Sequence, residues 1–71
     1  MFASPDKKLV AIQAGEKPEM RIMYNEGLET FYLQKKHLFV WREEAYTFDP
    51  KTVRTWRGAH HMIWVNKRWS R

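Results

Sequence analysis

A chain of 71 residues with a formal net charge of +5 at pH 7 has room for one domain, residues 1–71, and for no second one. A domain this small buries only about 60% of the surface its unfolded chain exposes, so the four Trp, three Tyr and four Phe must supply much of its core. The absence of cysteine excludes a disulfide framework, a thiolate zinc site and a cysteine nucleophile, and it favours a reducing, cytoplasmic setting.

The N-terminal residues MFASPDKKLV lack a charged region followed by a long apolar run, and no eighteen apolar residues follow one another. Neither export nor a membrane span is therefore expected. Within the chain the charge is uneven. Residues 1–50 carry seven Lys and Arg against eight Asp and Glu, whereas residues 51–71 carry six Lys and Arg and no acid. A basic segment of that kind attracts a polyanion or an acidic protein surface.

Ser4 as N-cap, Pro5 at the first helical position, Asp6 at the positive end of the dipole and Gly15 as a stop predict a short helix over residues 4–15. Leu9 with Ile12 and Val10 with Ala14 would form its apolar stripe, to be docked on a sheet. Met20, Ile22 and Tyr24 then alternate with Arg21 and Met23 as in a strand, and Asn25-Glu26-Gly27 predicts a turn with Gly27 at positive φ. Residues 28–33 (LETFYL) and 37–42 (HLFVWR) read as further strands, and Arg42-Glu43-Glu44 as a polar break. Residues 45–48 resume the strand pattern before Asp49-Pro50-Lys51-Thr52, a type I turn signal. Thr52 to Trp56 is mostly β-branched or aromatic and predicts a strand, Arg57 to His60 a turn, and His61 to Val65 a last strand before the basic end. The expected fold is α+β and mainly β: an antiparallel meander or small barrel-like sheet with one short N-terminal helix.

The same Asp49-Pro50 can instead start a helix over residues 50–57, with Asp49 as cap and Gly58 as its end. The run TVRTWRG, followed by NKRW, resembles the recognition helix and wing of excisionase-type winged-helix DNA-binding proteins across residues 49–69. The resemblance implies Lys51, Arg54 and Thr55 in the major groove and Lys67 and Arg68 on the minor groove or backbone. The chain departs from that pattern upstream, because residues 38–48 are strand formers where the family has a helix.

His60 and His61 are adjacent and point apart if extended, and His37 has no carboxylate at helical ligand spacing, so no metal or cofactor is expected. A small ribonuclease would need Glu43, Glu44, His60, His61, Arg54 and Arg57 to converge, and their spacing carries no catalytic motif. The expected function is non-catalytic binding of nucleic acid (DNA or RNA) or of a nucleic-acid-processing complex. Its expected site is Arg54, Trp56, Arg57, Trp64, Lys67, Arg68, Trp69 and Arg71, where cations interleave with aromatic rings; Trp69 is expected to be the most exposed of these rings. A small inhibitor or adaptor that grips the acidic face of a larger protein through Trp and Arg anchors is the alternative, and a small endoribonuclease the second.

Overall fold

The computed structural model describes residues 7–69, and its first element is a strand, β1 (Lys7–Gln13), in the interior of a sheet. β1 lies between β2 (Met20–Asn25) and β5 (Met62–Trp64) in a five-stranded sheet, with β3 (Thr30–His37) and β4 (Val40–Thr47) continuing it on the β2 side. The order is β4-β3-β2-β1-β5, and every neighbouring pair is antiparallel. A helix, α1 (Pro50–Ala59), connects the β4 edge to the β5 edge, and a 3-10 turn (Lys67–Trp69) follows. The molecule is 18 Å in its thinnest dimension, as two layers require.

The expected N-terminal helix is overturned over the described residues, because Lys7–Gln13 is strand; Ser4, Pro5 and Asp6 lie outside them. Leu9-Val10-Ala11-Ile12 is a short apolar run, which periodicity alone cannot divide between helix and strand. Its burial on a central strand decides: Val10 and Ala11 are fully buried, whereas an undocked helix this short would be marginal in water. A bulge at Val10 lies between the Leu9↔Met23 and Ala11↔Ile22 pairs, so both small apolar residues sit in the core.

The expected strand at 52–56 and turn at 57–60 are likewise replaced by α1. Asp49 caps it, the carboxylate Oδ1 accepting from the Lys51 N–H at 2.9 Å, and Pro50 opens the first turn. A type I turn and a helix start share their first dihedrals, so Asp-Pro does not separate them. Packing does. Thr52, Val53 and Thr55 each cost the helix at most about 0.7 kcal/mol in propensity, while Val53 is 1% exposed and burial of such a side chain contributes about 1.5–3 kcal/mol. Trp56, three residues on, packs against the same core.

The winged-helix alternative has its helix at about the right place, but residues 38–48 form the turn and strand of the β3–β4 hairpin rather than a preceding helix. The barrel-like alternative also fails: β4 pairs only with β3 and β5 only with β1, which leaves an open sheet. Between β3 and β4 the turn falls at Leu38-Phe39, inside the segment expected to be one strand, and Glu43-Glu44, expected to break the chain, belong to β4. Gln34 pairs Glu43 and Leu33 pairs Ala45, so Glu44 is a bulge on this edge strand. Edge bulges and charges discourage pairing with another sheet. In the β2–β3 turn the positive φ belongs to Glu29 (52°), not Gly27, and the Asn25 Oδ1 accepts from the Leu28 N–H at 3.1 Å.

The core is one layer between α1 and one sheet face: Val10, Ala11, Met20, Ile22, Phe31, Leu33, Val53 and Met62, with Tyr24, Ala45, Trp56, Trp64 and Trp69 packed around it. Gln13 ties the layer together at one end. Its amide donates to the His60 C=O at 2.9 Å, and its carbonyl accepts from the Glu19 and Met20 N–H groups.

Candidate binding surfaces

The cationic C-terminal residues fall into two groups. Arg57 turns inward, donating to the Met62 C=O at 3.1 Å and lying 5.5 Å from the centre of the Trp64 ring, so it joins α1 to β5. Arg54 is half-buried on α1, Lys51 and Thr55 are exposed on it, and Arg68 is exposed with its guanidinium 4.7 Å from the Trp69 ring. Lys67 opens the 3-10 turn, and Arg71 lies outside the described residues.

The three expected stacking rings of this third are partly buried. Trp56 and Trp64 pack on the core, and Trp69, expected to be the most exposed, closes an aromatic cluster 4.7 Å from Tyr24 and 5.0 Å from Phe31. The physical reason lies in the sheet: Tyr24 and Phe31 are a cross-strand pair on the α1 side, beyond the reach of the ten-residue helix, and the chain folds back to cover them. A polar neighbourhood in sequence did not mean a polar neighbourhood in space.

The opposite face of the sheet carries no helix among the described residues. Strand alternation brings there Leu9, Met23, Tyr32 and Tyr46 in one cross-strand row and Ile12, Arg21, Gln34 and Glu43 in the next, with Lys36 and Trp41 beyond. A polar chain spans the four long strands. The Arg21 Nε donates to the Gln34 Oε1 at 2.7 Å, the Gln34 amide donates to the Glu43 carboxylate at 3.3 Å, and the Lys7 ammonium donates to the same carboxylate oxygen at 2.8 Å. The hydrogen bond from Lys7 holds the Glu43 carboxyl below its ordinary pKa, against a smaller desolvation effect. Burial lowers the Arg21 pKa, yet an arginine stays charged at neutral pH.

Aromatic groups flank that polar chain on both sides. At one end Leu28, Thr30, Tyr32, Tyr46 and Phe48 line an apolar depression of about 410 Å³. Tyr46 and Phe48 are 66% and 67% exposed, with ring centres 5.9 Å apart and nearly perpendicular, and the Lys7 ammonium lies 4.8 Å from the Tyr32 ring. At the other end the Arg21 guanidinium lies 4.1 Å from the Trp41 ring and the Lys36 ammonium 5.9 Å from it. None of this set belongs to the site expected from the sequence, which lay in the C-terminal third. A signal was present in the spacing of Tyr46 and Phe48, two residues apart around Thr47, which marks a strand face but does not say which face a helix will cover.

The groups a ribonuclease would bring together are dispersed. Glu43 is on the β4 edge and His60-His61 precede β5 on the other edge, four strand spacings or roughly 19 Å across the sheet. Among the described residues no group of three His, Asp or Glu side chains is placed to hold a metal ion, and no helix is long and apolar enough to cross a membrane. Compared with family models, with curated proteins and with solved structures, the chain finds no match, so the geometry carries the functional reading unaided.

Proposed function

We propose that this protein binds single-stranded nucleic acid on its open sheet face. The observation that carries the reading is the array of exposed and half-exposed rings, Tyr32, Tyr46, Phe48 and Trp41, interleaved with Lys7, Arg21 and Lys36 on a face that no helix covers among the described residues. Bases stack on such rings whatever their identity, at about 1–3 kcal/mol per base, while cations beside the rings take the phosphates. Arg21 is held by Gln34 and lies over Trp41, so little order is lost when it meets a phosphate. β4 is eight residues long, roughly 26 Å at about 3.3 Å per residue, which suits the short end of single-strand site sizes, about four nucleotides.

The acid-free residues 51–71 act in this reading through their field more than through stacking. Lys51, Arg54 and Arg68 lie on the α1 side and draw a polyanion towards the molecule, an attraction that added salt screens. Fluorescence anisotropy with labelled DNA and RNA 12-mers tests the proposal. Saturable binding that weakens with salt, and that Phe48→Ala weakens by about 5- to 150-fold, is the expected result. No binding to either strand at low ionic strength refutes it.

A further inference from the structure

The tip of the β3–β4 hairpin is unlike the rest of the surface. Leu38 and Phe39 are 87% and 95% exposed, and Val40 follows at 61%. Leu38 also sits at φ 57°, in the left-handed region that a two-residue hairpin loop normally gives to Gly or Asn. The chain thus holds two large apolar side chains in water, one of them on a strained backbone at Leu38, a combination that points to a role for the tip. Residues 35–42 carry Lys35, Lys36, His37 and Arg42 and no acid. The hairpin extends past the first pair of β2, Met20↔Lys35, by only two pairs, Lys36↔Trp41 and His37↔Val40. Such a projection is too short to lie along a groove, and it is blunt and apolar at its end. Beside it is a recess of about 420 Å³, lined by Lys17, Pro18, Glu19, Lys36, Leu38 and Phe39.

We infer that Leu38-Phe39 is a wedge that abuts the last base pair where a nucleic-acid duplex meets a single strand. The inference rests on the proposed single-strand reading of the open face and extends it to the form of the substrate. The single strand runs along the face from Phe48 past Tyr46 and Tyr32 to Trp41, all but Tyr32 on β4 or at its end, and the duplex begins where the hairpin ends. Apolar side chains inserted at a base step unstack it, and the terminal pair of a duplex costs least to open. Lys35, Lys36 and Arg42 meet the phosphates of both strands at the fork, and the recess receives the unpaired base opposite the bound strand.

Three labelled ligands of one sequence separate the possibilities: the single strand, the blunt duplex, and the duplex carrying that single strand as a tail, with 2-aminopurine at the junction pair. The tailed duplex is expected to bind about tenfold or more tighter than either of the others, with a rise in 2-aminopurine fluorescence on unstacking. The double variant Leu38→Gly, Phe39→Ser is expected to lose that preference and the fluorescence rise while keeping its single-strand affinity and its thermal midpoint. Equal affinity for single strand and tailed duplex overturns the wedge and leaves the open-face reading standing; loss of all binding to the single strand in the unaltered protein overturns both. A double variant that keeps the junction preference, or that changes only self-association in sedimentation velocity, also overturns it, the latter in favour of a second copy covering the tip.

Discussion

Replacing Trp69 by Ala tests whether the C-terminal end belongs to the core. The Trp69 ring contacts Tyr24 at 4.7 Å in a tilted pair and Phe31 at 5.0 Å edge to face, and Phe31 is 2% exposed beneath it. A fully buried Trp or Phe changed to Ala costs about 3–5 kcal/mol, and each aromatic pair contributes about 0.5–1.5 kcal/mol beyond its buried area. Trp69 is only half-buried, so a loss of about 2–3 kcal/mol is expected after discounting for exposure. For a domain of this size each kcal/mol moves the thermal midpoint by about 4–8 °C, which places the variant roughly 10–20 °C below the unaltered protein. Thermal unfolding followed by far-UV circular dichroism, with urea unfolding as a second measure, reads this directly. Trp69→Phe should recover part of the loss. A midpoint within about 2 °C of the original would refute the cluster and return Trp69 to the exposed role its sequence neighbours imply.

Two further predictions concern local features. The Glu43 carboxyl has its folded-state pKa lowered, so its contribution to stability is complete above the unfolded carboxylate range, near pH 4.3, and is lost as pH falls through the folded value. For this half-exposed pair the contribution is at most about 1 kcal/mol, and Lys7→Met should raise the Glu43 pKa in a carbon-detected NMR titration; an unmoved value would refute the Lys7 hydrogen bond as its main cause. His61, at φ 54° between α1 and β5, sits where a helix commonly ends in Gly, and His61→Gly should leave stability unchanged or raise it by up to about 1 kcal/mol in urea unfolding, whereas a clear loss would show that the imidazole makes a contact of its own.

Alternation of apolar residues with a buried face is legible in the sequence for β2. Met20, Ile22 and Tyr24 alternate in the sequence and line the core side of β2, and the regular spacing of apolar runs from Met20 onward marked a meander that β2, β3 and β4 form. The cap signals behaved differently at the two ends. Ser4-Pro5 and Asp49-Pro50 look alike as helix starts, and each is worth about 1 kcal/mol. After Asp49 the residues Val53 and Trp56 share a helical face with a core to bury, and the helix forms; after Asp6 the run Lys7–Gln13 fills an interior position of a sheet, between β2 and β5.

The sequence by itself determined a small, cysteine-free domain that is mainly antiparallel β, with an aromatic core and a C-terminal third rich in cations and free of acids. Tertiary structure decided three things that no window of residues contains. It made the segment around Val10 an interior strand, because pairing with β2 on one side and β5 on the other, with Val10 and Ala11 buried in the core, outweighs a helix cap. It placed α1 after β4, because a β-branched run becomes helical when Val53 and Trp56 gain more from the sheet than their propensities cost. And it exchanged the two aromatic sets, drawing Trp56, Trp64 and Trp69 towards the core and leaving Tyr46 and Phe48 in water, since which face of a sheet is covered depends on where the helix crosses it.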